Sequence, residues 1–116
     1  MKKIYFLKTC DTCKRILNSI RLDGFVLQDI KTEPITIKQL EEMWFLTGSY
    51  ESLFSRRAKK YKSMDLKHQV LTEEDFKLLI LDEYTFLKRP VIIFDDSIFV
   101  GNSKKNIEAL ISEIGK

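Results

Sequence analysis

The chain has 116 residues, 44% of them hydrophobic and 32% charged, with a formal net charge of +3, values that fit one soluble globular domain and exclude disorder or a membrane-embedded class. A charge excess this mild, with no concentrated basic stripe, argues against direct nucleic-acid binding. No apolar run reaches the ~18 residues needed to span a bilayer, and MKKIYFLKTC turns polar too early for a secretory signal, so the expected compartment is the reducing cytoplasm.

In chain order, KIYFL (residues 3–7) is a short apolar and aromatic run that predicts a buried strand. Cys13, Ile16, Leu17 and Ile20 then recur at i, i+3, i+4, i+7, the spacing of a helix laying one face on a core, and Gly24 is placed to end that helix as a left-handed cap. FVLQDI (25–30) predicts a second strand, parallel to the first because a helical crossover joins them. Thr36 opens a helix carrying Ile37, Leu40, Met43 and Trp44, and Thr72, with Glu73, Glu74 and Asp75 behind it, opens another carrying Phe76, Leu79, Ile80 and Tyr84. Between them SLFSRRAKKYK is basic and lacks periodic hydrophobics. VIIF and IFV flank a two-residue turn, Asp95-Asp96 or Asp96-Ser97, which predicts an antiparallel hairpin, and Asn102 or Ser103 caps a last helix with Ile107, Leu110, Ile111 and Ile114. The order βαβ, a helical insertion over approximately residues 34–87, then ββα predicts a single α/β domain over 1–116. It resembles the thioredoxin architecture, built on a four-stranded mixed sheet.

The chemistry concentrates in FLKTCDTCKR (6–15), which holds both cysteines of the chain. Cys10 falls where the first strand gives way to the first helix, beside the unpaired N–H groups of the first turn, with Lys8, Lys14 and Arg15 nearby. Such surroundings lower a thiol pKa from ~8.5 toward roughly 3.5 to 7.5. Each unit of that shift requires ~1.4 kcal/mol, more than a helix dipole supplies over several units, so direct N–H bonds or a close cation must contribute. Asp11 and Thr12 are placed to cap the turn. Cys13, one turn on and on the apolar face, is less exposed and less ionised; an exposed thiolate followed by a shielded partner is the arrangement of a thiol–disulfide exchanger, although a buried cysteine is equally read as packing. Zinc has too few ligands, since only His68 could join the two sulfurs, and His68 in DLKHQ reads as a surface residue.

Two further segments stand out. In KRPVII (88–93), Pro90 begins a strand, where its missing N–H is tolerated, and in a thioredoxin-like sheet it is expected to be cis and to face the N-terminal cysteine, with Arg89 beside it as a cation. In SRRAKKYK (55–62), Arg56 and Arg57 read either as a solvated charge run or as oxyanion ligands, if the insertion folds back over Cys10.

Taken together, TCDTCKR after the first strand, LFSRRAKKYK in the middle, and KRPVII with FVGNSKKNIEAL near the end resemble the ArsC/Spx family of thioredoxin-fold proteins, over essentially the whole chain. The resemblance implies that Cys10 is the reactive cysteine, that Arg89 and Pro90 are the arginine and cis-proline of the family, and that Arg57 is the arginine following the short middle helix in Spx-like members. It implies that Cys13 is the second cysteine of a redox switch governing binding to the RNA polymerase α subunit, with Gly48 or Ser49 and Arg57 near the contact. In the arsenate reductases the adduct on the reactive cysteine is reduced through glutathione and glutaredoxin. Two arsenate-holding groups of that branch are replaced here: the histidine four residues before the cysteine by Phe6, and an arginine after the last strand by Gly101-Asn102.

The expectation is therefore a thiol–disulfide or glutathione-dependent reductase with no bound cofactor and no metal, using glutathione or glutaredoxin as co-substrate. Cys10 is its nucleophile and Cys13 its resolver, Arg89 and Arg57 give electrostatic support, and Lys8, Thr12 and Pro90 bind substrate. The alternative is a redox-sensing regulator that binds the RNA polymerase α subunit, and the plainest reading is an inert domain whose sulfurs only pack.

Overall fold

Strand β1 (Lys2–Phe6) lies inside a four-stranded sheet, and its Ile4 and Tyr5 are buried. It runs parallel to β2 (Val26–Asp29), with Ile4 opposite Leu27, and antiparallel to β3 (Val91–Phe94), with Ile4 opposite Ile92. Strand β4 (Ser97–Val100) pairs with β3, giving the order β2-β1-β3-β4. The computed structural model describes residues 1–115 and divides the chain into two units, Met1–Pro34 with the chain from Arg89 onward, and Ile35–Lys88.

In the sheet unit, the parallel pair requires a crossover, supplied by helix α1 (Asp11–Leu17), whereas the β3–β4 pair needs only the tight turn at Asp95-Asp96. Asp95 has φ of 54°, a left-handed value that a short polar side chain tolerates. Helix α1 ends at Leu17, with Asn18 as a right-handed cap, so Gly24 does not terminate it. Gly24, at φ 81°, instead occupies the third position of a turn in which the Phe25 N–H donates to the Leu22 carbonyl at 3.0 Å, a position that requires positive φ. Ile20 lies beyond the helix, yet the chain returns it to the core through an isolated bridge to Gly115.

Helix α5 (Lys104–Ile114) starts at Ser103 rather than Asn102, because the Ser103 hydroxyl accepts the Asn106 N–H at 3.2 Å. Its Leu110 and Ile114 join Ile4, Ile16, Leu17, Ile20 and Ile92 in one buried cluster, with Ile107 packed against it. Ile111, from the same periodic set, remains 43% exposed. Full burial of each such aliphatic side chain contributes about 1.5 to 3 kcal/mol against the chain entropy lost.

The second unit contains α2 (Ile37–Thr47), α3 (Lys59–Ser63) and α4 (Glu73–Asp82), with 3₁₀ turns at Glu51–Leu53, Leu66–His68 and Tyr84–Phe86. Thr36 and Thr72 each form a capping box: the hydroxyl accepts the N–H of Gln39 or Asp75, and that residue's side chain accepts the threonine N–H in return. Leu40, Met43, Phe76 and Ile80 are buried, and the Phe54 ring stands 4.9 Å from that of Phe76 and 5.0 Å from that of Phe86. Tyr84 falls past the end of α4, in the last 3₁₀ turn. Helix α3 buries none of its residues, which is why its sequence carries no hydrophobic period. The Ser55 N–H donates to the Phe86 carbonyl at 2.7 Å and the Lys88 N–H to that of Leu53 at 2.8 Å, tying the C-terminal end of the unit to its middle. No helix among the described residues is long and apolar enough to cross a membrane.

Candidate thiol site

The site begins with strand register. Because Tyr5 pairs with Val91 in antiparallel sense, the chain leaving β1 runs beside the chain entering β3, and this brings the Cys10 turn toward Arg89 and Pro90. After β1 the backbone turns back, with the Cys10 N–H donating to the Leu7 carbonyl at 3.0 Å, and Cys10 becomes the extended N-cap residue of α1 (φ −91°, ψ 113°). Its carbonyl accepts the Lys14 N–H at 3.1 Å. The cap position thus belongs to the cysteine itself, while Asp11 and Thr12 form the first helical turn. A thiol stands where serine or threonine usually does, at the end of the helix whose first N–H groups have no intrahelical partner, although it makes no side-chain capping hydrogen bond.

This placement sets the charge of the pair. Burial opposes ionisation of Cys10, but the N–H and thiol of Cys13, the N–H of Thr12 and the charge of Arg89 outweigh it, and the Cys10 pKa lies below the ordinary thiol value. With only seven residues in α1, these direct donors and the cation matter more than a summed helix dipole. Cys13 is fully buried and its pKa is pushed up to about 11, first by burial and then by the neighbouring Cys10 sulfur, against the opposing effect of the Leu7 backbone and Arg89. The pair is therefore a partly exposed sulfur whose ionisation is favoured, over a buried thiol whose ionisation is opposed. Both cysteines are free.

Arg89 is partly buried, precedes a cis peptide bond to Pro90, and acts electrostatically on both sulfurs. The Pro90 carbonyl accepts the Gly101 N–H at 2.8 Å, and the Gly101 carbonyl accepts the Asn106 side-chain amide at 2.8 Å. Sequence reasoning did not reach this link. Its only local sign is an asparagine three residues after a capping serine, a pattern shared by many helix starts.

The fold thus gathers Cys10, Thr12, Cys13, Arg89 and Pro90 in one unit, with Lys8, Lys14 and Arg15 exposed on the same unit. Arg57 and Arg56 belong to the other unit. There Arg57 is exposed, its backbone N–H donating to Ser55 Oγ at 3.4 Å, whereas Arg56 pairs with Glu51 at 2.8 Å and lies over the Phe54 and Phe76 rings. Gly48 caps α2 at φ 77°, followed by Ser49. His68 is exposed and paired with Asp65 at 2.6 Å, and no group of three or more His, Cys, Asp or Glu among the described residues could hold a metal ion.

A βαβ–ββα sheet with a cysteine capping its first helix and a cis-proline before its third strand defines a protein of the thioredoxin-like class. The chain belongs to the ArsC family, whose profile it matches over residues 5–110. It is 22% identical to the global transcriptional regulator Spx 1 of Bacillus cereus over 114 residues, covering 96% of this chain and 87% of that one. Among solved structures it superposes on the YffB protein with a TM-score of 0.81 at 21% identity, covering 99% and 100% of the two chains. A putative arsenate reductase from Yersinia pestis gives 0.75 at 17% identity, covering 97% and 99%.

Proposed function

We propose that this protein is a thiol-dependent reductase of the cytoplasm, with Cys10 as nucleophile, Cys13 as resolving thiol and Arg89 as electrostatic support. The observation that carries this reading is the arrangement at the first turn, a partly exposed cap sulfur held below the ordinary thiol pKa beside a fully buried sulfur pushed up to about 11. The Cys10 thiolate attacks one sulfur of a disulfide, forming a mixed disulfide and releasing the other sulfur as a thiolate. With Cys10 bonded, its negative charge no longer opposes ionisation of Cys13, which loses its proton to the departing thiolate and attacks the Cys10 sulfur. That closes a Cys10–Cys13 disulfide and releases the second sulfur as a thiolate, which takes its proton from solvent, so two electrons pass from the pair to the substrate. Two molecules of glutathione, or a dithiol such as reduced glutaredoxin, return the pair to its reduced form and become the oxidised product. Thr12 contributes its backbone N–H, and Lys8 and Pro90 line the approach of the substrate.

A disulfide fits better than arsenate. An arsenate anion needs several cationic ligands, while Phe6 and Gly101-Asn102 occupy the positions where the resemblance calls for a histidine and an arginine.

The test is iodoacetamide labelling of each cysteine against pH. Cys10→Ser should abolish fast alkylation at pH 6, and Cys13→Ser should retain most of it. Equal loss in the two variants, or slow labelling of the unmutated chain, defeats the assignment.

A second reading, a redox-responsive regulator contacting the RNA polymerase α subunit, is favoured by the match to proteins named as Spx regulators over 96% of this chain. Turnover of a disulfide with glutathione supports the enzyme. Saturable binding of purified α subunit that changes with the oxidation state of Cys10 and Cys13 supports the regulator.

A further inference from the structure

The three long helices of this chain start alike but use their third helical residue differently. In α2 and α4 that residue, Gln39 or Asp75, reaches back as an acceptor for the N–H of the capping threonine. In α5 it is Asn106, whose backbone N–H is held by Ser103 Oγ in the usual way. Its side chain passes the cap and donates through Nδ2 to the carbonyl of Gly101 at 2.8 Å. Gly101 is buried, has φ of 84° and donates its own N–H to the Pro90 carbonyl at 2.8 Å. Pro90 follows Arg89, so a continuous run of hydrogen bonds and one peptide link connects the start of α5 to the arginine that acts on the cysteines.

We infer that Asn106 is a positioning residue for the thiol site, holding the Gly101 backbone so that the Pro90 carbonyl, and with it Arg89, stays in register with Cys10. The inference rests on the thiol reading above and extends it to a residue outside the site. The geometry favours this over simple capping, because Ser103 already satisfies the Asn106 N–H and the amide spends its donor on a residue two positions before the cap. Gly101 stands just after β4, whose Val100 pairs with Val91, so a loosened Gly101 frees the entry to β3, where Arg89 lies. The charged or titratable groups facing Cys10 are Cys13 on α1 and Arg89 ahead of β3. Asn106 touches neither and can act only through the backbone.

The test measures the pH midpoint and the pH 6 rate of Cys10 alkylation in the full chain, in a thermodynamic cycle with Arg89. Asn106→Ala should slow labelling at pH 6 about threefold and raise the midpoint, while in an Arg89→Ala background the same substitution should change neither, since interacting sites are non-additive. Asn106→Asp provides the folding control: aspartate at the third position suits a helix start, so thermal stability should be kept, yet the lost donor should slow labelling as alanine does. A lowered wild-type midpoint that Asn106→Ala leaves in place, or an equal effect of Asn106→Ala with and without Arg89, overturns the role of Asn106 alone. An ordinary thiol midpoint in the unmutated protein overturns the thiol reading and this role together.

Discussion

Cys13 keeps its proton to high pH because its sulfur is buried and the neighbouring Cys10 sulfur is anionic. Its folded pKa lies above the unfolded value, so on raising the pH the unfolded thiol ionises first, and from about pH 9 to about pH 11 the folded chain holds a proton that the unfolded chain has lost. Folding stability tied to this group is complete below that window and falls across it. Replacing the thiol with an apolar group of similar size, Cys13→Val, should remove the loss: urea unfolding between pH 9 and pH 11 should show a shallower decline than in the unmutated chain, by roughly 2 kcal/mol over the window. An unchanged slope would mean that the side chain reaches water. At this scale the pairing of a partly exposed with a shielded sulfur could be read from two cysteines three apart at a strand-to-helix transition. The identity of the cap could not, because Cys10, Asp11 and Thr12 are neighbours and only the backbone angles decide which one stands outside the helix.

Helix starts were the most legible elements. Thr36 with Gln39 and Thr72 with Asp75 are capping boxes whose two bonds depend only on residues three apart, so local chemistry specifies them. Thr36→Ala should remove the side-chain acceptor for the Gln39 N–H and cost about 1 kcal/mol in chemical unfolding, whereas Thr36→Ser should cost much less. Helix ends were less legible. Gly24 carries a signal for positive φ, and the structure honours it, but in the turn before β2 rather than at the end of α1. A glycine reports that the chain reverses there, and both a helix cap and a type II-like turn use it. Ile20 misled for a related reason: its burial follows from its bridge to Gly115, a contact that helical periodicity cannot anticipate.

Across the whole molecule, two buried clusters support the two units, and each has a side chain whose truncation should report on it. Leu110 is 1% exposed in the cluster that joins α1, the sheet and α5, so Leu110→Ala should destabilise by about 2 to 5 kcal/mol. Phe54, fully buried between Phe76 and Phe86, should cost about 3 to 5 kcal/mol on change to alanine. Denaturant midpoints should fall in both variants with little change in slope; a loss under 1 kcal/mol would show that the site relaxes to fill the space. What the amino-acid order determined by itself is the element sequence, the capping threonines and the placing of two cysteines three apart at a strand-to-helix junction, all of which depend on side chains within a turn or two of one another. What only the tertiary structure decided is the company the pair keeps: Arg89 acts on Cys10, and Asn106 reaches Gly101 above Pro90, because β1 and β3 lie antiparallel in one register. Strand pairing between segments so distant in the chain is set by the burial of Ile4, Tyr5, Val91 and Ile92 together, a sum over the whole core that no local pattern contains.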